Sequence, residues 1–341
     1  MNTSMIKTAS IAGLTGLVMS LIPSVASAEH LPTYKNNVDD FFYAQQTSLW
    51  IFLKVPRATI LAQVGDTLNR LGFELASFEN ADTGVVILKP MVFTGEFGSQ
   101  TAAFSGISAS TEIEFTVLVR PKNKTPIQGT LAEFIAGNHP DSNIGQLRLD
   151  VLCDNEVAVA AGRAKFGEHK FLGSFEYEYP TPNSSVGAEK PFTLDMTAYT
   201  WQGAGQSDHK LFRLQADLTG LSGKRVRPSP ELLFSAFPPE PSGAVPQKAV
   251  GEHRHYGASL TAYLVPESGK TLTLSFGSGL GAKPLSPVAP YGDGNPIAGS
   301  EIWPTEMRDR VQALLLPGTV AGYLLFRTPS AEYEQKPFDL F

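Results

Sequence analysis

The sequence has a single cysteine, fewer basic than acidic residues and no internal repeat, and each of these features argues against a class of protein. Cys153 is the only cysteine, so no disulfide can form within the chain. Lys and Arg total 27 against 33 Asp and Glu, and this mildly acidic balance gives no sign of a nucleic-acid partner or of binding to an anionic membrane surface. No period of about 20 to 50 residues recurs along the chain, which argues against a repeat architecture.

The first 28 residues have the layout of an export signal. Lys7 provides a basic start, residues 11–22 form a short apolar run, and the small residues at 26–28 fit a cleavage site. The apolar run is too short to favour a retained membrane anchor. The sequence therefore predicts a signal peptide over 1–28 and a mature, periplasmic or secreted protein over 29–341, with no transmembrane segment after cleavage.

The mature part predicts one mainly β (α+β) domain with a few short helices, because Gly and Pro are plentiful and the apolar runs are strand-sized. Apolar spacing predicts helices over 59–71 and from Pro304 through 315, and a helical turn over 130–136. Pro90 indicates an edge or a bulge in its strand. The predicted strands cover 49–55, 85–93, 112–119, 147–152, 157–161, 172–179, 192–202, 210–218, 232–236, 257–266, 272–276 and 321–326.

Three sets of polar residues could carry chemistry, and each has a plain structural alternative. Glu112 and Glu114 alternate along their strand and share a face, which is either a place for proton transfer or an exposed edge. His253 and His255 could share a face and bind a metal, but no third ligand follows from spacing, so we predict no metal or cofactor. Cys153 precedes an apolar stretch, which favours a buried, inert thiol.

The segment that ends at Lys170 is the strongest candidate for a site. Residues 157–161 are small and apolar, which suits a strand buried on both faces, and a short charged segment leads from Gly162 to Lys170. Removal of water disfavours the ammonium form of a lysine and leaves a nucleophilic nitrogen. An exposed turn lysine is the structural alternative.

The stretch CDNEVAVAAGRAKFGEHKF over 153–171 resembles the core motif of the acetoacetate decarboxylase superfamily. The family's glutamate, proline and second lysine are replaced by Ala164, His169 and Phe171. The family's arginine ahead of the first strand has no counterpart near Thr47 or Ser48. The resemblance covers roughly residues 47–290. The matching positions are Asp154, Asn155, Glu156, Ala158, Ala160, Gly162, Arg163 and Lys170.

This resemblance implies an acetoacetate decarboxylase-like antiparallel β-barrel or cone around an internal cavity. It also implies that Lys170 forms a Schiff base with the ketone of a small keto acid. Glu112, the nearest match to the family's Tyr-x-Glu, would exchange protons, with Glu114 as a weaker candidate, and Arg163 would hold charge or shape near the amine. The missing second lysine and arginine favour a divergent carbon-carbon lyase, acting by decarboxylation or by aldol or hydration chemistry. Enzymes of this family often oligomerise, so the resemblance also implies a possible homo-oligomer.

A non-catalytic function stays open beside this one. The same cavity could belong to a periplasmic binding protein for a small apolar or acidic ligand, with Lys170 as an inherited counter-ion. Phe171 could supply desolvation, and Arg163 or Lys165 could supply positive charge. A trapped imine would distinguish the enzyme from the binding protein.

Overall fold

Short apolar runs form strands throughout the part of the chain that the structure, a computed structural model, describes. That part is residues 41–97, 107–159, 162, 168–178, 193–202, 205–226, 231–235, 250–255, 259–265, 271–277, 304–328 and 333–337. The strands are β1 Phe41–Pro56, β2 Phe73–Leu75, β3 Thr83–Phe97, β4 Ile107–Pro121, β5 Gly145–Cys153, β6 Lys170–Glu178, β7 Thr193–Gln202, β8 Gly205–Asp217, β9 Gly223–Val226, β10 Glu231–Ser235, β11 Val250–His255, β12 Ser259–Leu264, β13 Leu272–Phe276, β14 Thr319–Thr328 and β15 Tyr333–Pro337.

Three helices accompany the strands and agree with the sequence pattern. Helix α1 (Arg57–Leu71) buries Ile60, Val64 and Leu68 along one stripe and ends at Gly72, whose φ of 72° is left-handed. Helix α2 (Leu131–Ile135) begins with a capping box, in which Thr130 and Glu133 each bond the other's backbone N–H. Helix α3 (Pro304–Leu315) buries an apolar stripe that includes Met307 and Val311.

The strands join in one sheet, and the mainly β class predicted from the sequence is confirmed. Its main path runs β13-β8-β7-β6-β5-β10-β11-β15-β1-β14-β12-β9, while β3 and β4 link β1 to β5. The terminal strands β13 and β9 each have one partner among the described strands, so the sheet as a whole is not closed into the expected barrel. Two pairings, β5 with β6 and β5 with β10, are parallel, which corrects the purely antiparallel expectation.

Alternating side chains of the central strands divide the buried apolar residues into two clusters. One cluster contains Leu49, Ile51, Ile113 and Phe115 together with the buried stripes of α1 and α3. The other contains Trp50, Phe52, Ile87 and Cys153 from the opposite face of the same strands. Because paired strands keep their faces aligned, every residue in register with Glu112 or Glu114 lies on this second face.

Two local predictions are wrong. Residues 156–159 are helical rather than part of a buried strand, because Asn155 Oδ1 accepts a hydrogen bond from Ala158 N and starts a turn; Ala160 and Ala161 lie outside the described residues. Pro90 is not at an edge, since β3 pairs with β1 and with β4, and the irregularity in that strand lies between Phe93 and Gly95.

The described residues between 34 and 341 group as one compact unit. The predicted signal peptide over 1–28 lies outside the described residues. Among the described residues, no helix is long and apolar enough to cross a membrane.

Candidate active site

Lys170 opens β6 and is buried, with 5% of its surface exposed. Val151 N donates to the His169 carbonyl at 2.8 Å, and the parallel register then pairs Lys170 with Val151. The neighbouring Phe171 is also buried. The structure therefore contradicts the alternative of an exposed turn lysine.

Glu112 of β4 meets the Lys170 side chain. Its carboxylate oxygen Oε2 lies 2.5 Å from Lys170 Nζ, and 1% of Glu112 is exposed. Its other oxygen, Oε1, has no hydrogen-bond partner among the described residues. Lys170 and Glu112, two of the residues that the motif resemblance singled out, thus form a buried ion pair. The alternative of a solvated strand edge for Glu112 and Glu114 is wrong.

The Lys170–Glu112 pair is the end of a longer chain of buried charges that we call the charge network. Glu168 Oε2 lies 3.3 Å from Lys170 Nζ, and Glu168 Oε1 contacts Arg148 Nη1. Arg148 Nη2 lies 2.7 Å from Glu114 Oε1, and Lys89 Nζ donates to Glu114 Oε2 at 2.6 Å. The network therefore reads Lys89, Glu114, Arg148, Glu168, Lys170, Glu112, with the sign of the charge alternating at each step.

Strand register explains why distant residues meet in this network. Lys89 of β3 pairs with Glu114 of β4, Glu114 pairs with Val151 of β5, and Val151 pairs with Lys170 of β6. The four residues form one row across the sheet, so their side chains project from the same face. The Lys89 ammonium also lies 5.0 Å from the ring centre of Trp50, an additional favourable contact for the charge.

The network's electrostatics are visible in Glu114. Burial alone would raise the pKa of Glu114, but the charges of Arg148, Lys89 and Lys170 outweigh burial and lower it to about 2. With three basic and three acidic members, the network is neutral when all are ionised. Buried charges are tolerated only when they are paired in this way.

Motif residues in the connection between β5 and β6 make contacts beside the network. Asp154 Oδ1 accepts from Thr111 N at 2.7 Å, which ties the turn to β4 beside Glu112. Gly162 O accepts from Glu168 N at 3.0 Å. A Cβ at Gly162 would overlap Glu168 Oε2 and lie 2.7 Å from Lys170 Cδ, so only glycine leaves room for both side chains.

We expect Gly162→Ala to lower the free energy of unfolding by about 1–3 kcal/mol, because the added methyl displaces Glu168 or Lys170 in a packed site. Urea unfolding measures the loss. Gly220→Ala is the matched control: a Cβ there meets nothing within 4 Å, and the expected change is within about 0.5 kcal/mol. Equal stability changes in the two variants would contradict the close packing around Gly162.

Two further groups beside the site have perturbed ionisation. Burial raises the pKa of Cys153 well above its usual range despite the nearby Lys170, so the thiol stays protonated, in line with the predicted inert cysteine. Burial also raises the pKa of Asp154, although its hydrogen bonds with Thr111 act in the opposite direction.

The remaining predicted site features have separate outcomes. Arg163 lies outside the described residues, so its predicted role stays a prediction. No group of three or more His, Cys, Asp or Glu in the described part of the chain could hold a metal ion. Thr47 and Ser48, near which the sequence has no counterpart of the family's arginine, are buried within β1.

Sequence reasoning missed Lys89, Arg148 and Glu168. Lys89 and Arg148 each interrupt an apolar strand, and a charged side chain inside such a run was the available signal. Glu168 has no such signal, because it lies in the turn between β5 and β6.

No family model and no curated protein matches this chain. Solved structures with a similar fold are found. One similar structure is the acetoacetate decarboxylase of Legionella pneumophila subsp. pneumophila str. Philadelphia 1. It is 12% identical, with a TM-score of 0.44 over 88% of this chain and 85% of the other. A second structure, described as structural studies of acetoacetate decarboxylase, is 11% identical, with a TM-score of 0.43 over 88% and 89%. Both TM-scores are below 0.5, so neither structure supports a residue role, a ligand or an activity for this chain.

Proposed function

We propose that this protein is a divergent lyase in which Lys170 forms an imine with the ketone of a small keto acid. The observation that supports it is the buried contact between Lys170 Nζ and Glu112 Oε2 at 2.5 Å. It combines an amine kept from water with a carboxylate close enough to take its proton. The motif resemblance over 153–171 supplies the type of reaction, and the predicted signal peptide supplies the proposed location, the periplasm or the exterior.

The first step is a proton transfer within the pair. When Glu112 takes a proton from the Lys170 ammonium, both groups become neutral and the amine gains the lone pair that a nucleophile needs. The amine nitrogen bonds to the ketone carbon as the carbon–oxygen double bond opens. The oxygen takes one proton from nitrogen and one from Glu112, the carbon–oxygen bond breaks, and the oxygen leaves as water, while the second proton of the amine stays on nitrogen. The products are a cationic imine on Lys170 and an ionised Glu112, so the network keeps its net charge.

The cationic imine then serves as an electron sink. In a 3-keto acid, the bond between the α-carbon and the carboxylate breaks, its electron pair moves toward the imine nitrogen, and carbon dioxide leaves. Glu112 can relay a proton from water to the α-carbon, after which water hydrolyses the imine and restores Lys170. Aldol or hydration chemistry would use the same imine with a different electrophile or nucleophile.

A binding protein is the second candidate, and one observation favours it. Two carboxylates, Glu112 and Glu168, lie 2.5 Å and 3.3 Å from Lys170 Nζ, and opposite charges at such distances favour the ammonium form. A lysine that stays charged would act as a counter-ion for an acidic ligand and would not attack a carbonyl. A homo-oligomer is compatible with either function.

Borohydride trapping with a panel of small 2-keto and 3-keto acids tests the proposal. We expect a reduced adduct on the peptide that contains Lys170, found by mass spectrometry, and at least about tenfold less adduct in Glu112→Gln, because general acid–base groups contribute that much or more. Lys170→Arg should give no adduct at this position.

Lys54 is the internal control within the same sample. Its side chain is 35% exposed and pairs with Glu79 at 2.9 Å, so it reports indiscriminate reductive alkylation. Adduct on Lys54 at the level of Lys170 would reject the imine mechanism. Ligand-dependent thermal stabilisation with no adduct on Lys170 would reject the lyase in favour of the binding protein.

A further inference from the structure

The three carboxylates of the charge network differ in the cations that hold them. Glu114 lies between Lys89 and Arg148, and Glu168 lies between Arg148 and Lys170. Among the described residues, the ion pair of Glu112 is with Lys170 alone. Two of the carboxylates therefore share the guanidinium of Arg148, and the third does not.

We propose that Arg148 is a positioning residue that holds Glu114 and Glu168 as ionised carboxylates and so leaves Glu112 as the group that exchanges a proton with Lys170. This inference rests on the proposed function, because it assigns parts within the same site. Arg148 itself does not need to touch a substrate.

A local irregularity of β5 places Arg148 for this role. The pairing of β4 with β5 passes from Phe115–Asp150 to Thr116–Arg148, so one residue of β5, Leu149, has no counterpart. Asp150 consequently lies on the opposite face, where it accepts from Arg310 Nε at 2.8 Å. Arg148 is thereby separated from the acid two residues away and turns to Glu114 and Glu168.

The guanidinium suits this bridging position better than an ammonium would. Arginine presents several N–H donors in a plane, and here Nη1 contacts Glu168 while Nη2 contacts Glu114. Arg148 is 3% exposed, so its charge acts at short range with little screening by water. The lowered pKa of Glu114, caused in part by Arg148, agrees with a carboxylate held in its ionised form.

Charged and titratable groups on several elements belong to the charge network or lie beside it, and they enter any pH dependence of Lys170. They are Lys89 from β3, Glu112 and Glu114 from β4, Arg148 and Cys153 from β5, and Asp154 and Glu168 from the turn before β6. Of these, Arg148 links the most acids. Its removal takes one positive charge from the surroundings of Lys170, which favours the ammonium form and weakens the nucleophile.

The test is the pH profile of reductive methylation of Lys170 by formaldehyde and cyanoborohydride, followed by mass spectrometry. In Arg148→Gln, we expect the Lys170 profile to move to higher pH by about one unit, which is roughly tenfold slower labelling at a fixed neutral pH. Arg148→Lys keeps the positive charge and should restore most of the wild-type rate. Lys54 labelling should not change in either variant.

Arg213→Gln is the matched control, because Arg213 pairs with Asp195 at the surface, where its side chain is 42% exposed. A Lys170 profile in Arg148→Gln that overlays the wild type, or that moves as far in Arg213→Gln, would overturn the proposal. Should Arg148→Gln fail to fold, Glu112→Gln and Glu168→Gln decide. A larger change in the Lys170 profile from Glu168→Gln than from Glu112→Gln would also overturn it.

Formaldehyde labelling needs no keto acid, so the two proposals can fail separately. Absent borohydride adducts with an intact Arg148-dependent profile would reject the lyase and retain the positioning role. Adducts on Lys170 with an Arg148-independent profile would do the reverse.

Discussion

Lys89→Met is expected to lower the free energy of unfolding by about 3–5 kcal/mol, the range for removing one partner of a buried ion pair. Lys89 is 1% exposed and its Nζ lies 2.6 Å from Glu114 Oε2, so the substitution leaves a buried carboxylate with one cation fewer. Methionine is similar in length, which keeps the loss of packing small. Urea unfolding monitored by circular dichroism gives the difference.

Lys54→Met provides the comparison within the same molecule. The Lys54–Glu79 pair has a similar distance, 2.9 Å, but its side chains are 35% and 42% exposed. Exposed pairs of this kind contribute about 1 kcal/mol or less. If the two substitutions cost the same, burial does not determine the strength of the Lys89 pair, and the charge network is not the desolvated structure inferred here.

The sequence predicts this fold well where a helix or strand depends only on residues that are close together in the chain. Apolar spacing in α1 gives the buried stripe of Ile60, Val64 and Leu68, and Gly72 ends the helix with a left-handed φ. Strand β13, predicted over 272–276, is found at Leu272–Phe276. These features depend on residues a few positions apart, which is the range over which periodicity and capping act.

The helical turn at 156–159 follows a sequence with two competing local signals. Val157 and Val159 favour a strand, but Asn155 accepts a hydrogen bond from Ala158 N, and Val159 N donates to Asn155 O at 3.0 Å. An Asp-Asn pair ahead of small residues is also a helix-start signal. Capping therefore outweighed the β preference of valine.

The site could be predicted only in part, because it depends on register. Alternation places Glu112 and Glu114 on one face, and both are found there. Alternation would also place Arg148 and Asp150 together, yet the irregularity between Phe115 and Thr116 sends them to opposite faces. A single extra residue in one strand cannot be located from the sequence alone.

The charges of the network balance without a second lysine beside Lys170. The residue after Lys170 is Phe171, and the other positive charges of the network are those of Arg148 and Lys89. Arg148 contacts Glu114 and Glu168, Lys89 contacts Glu114, and Glu168 in turn contacts Lys170. The same arrangement has a cost, because each substitution leaves an opposite charge buried. We therefore expect the stability of the fold and the proposed reactivity of Lys170 to change together when the network is altered.

The stability difference between the wild type and Glu114→Gln is expected to shrink by about 3 kcal/mol as the pH falls from about 5 to about 2. The pKa of Glu114 is lowered from 4.5 to about 2 in the folded protein. A carboxylate with a lowered folded pKa stabilises the protein fully above its unfolded pKa, and this stabilisation is lost as the pH falls through the folded pKa. Urea unfolding of both proteins at several pH values measures the difference.

Asp150→Asn tests the sign of the same relation. Burial raises the pKa of Asp150, even though its hydrogen bond and ion pair with Arg310 act in the opposite direction. Because the folded state then favours the protonated acid, the ionised carboxylate weakens the wild type at neutral pH, and acid relieves that effect. On acidification, the wild type should therefore gain stability relative to Asp150→Asn. It should lose stability relative to Glu114→Gln. A gain on acidification in both comparisons would show that Glu114 is not held ionised by Arg148 and Lys89, and a loss in both would contradict the raised pKa of Asp150.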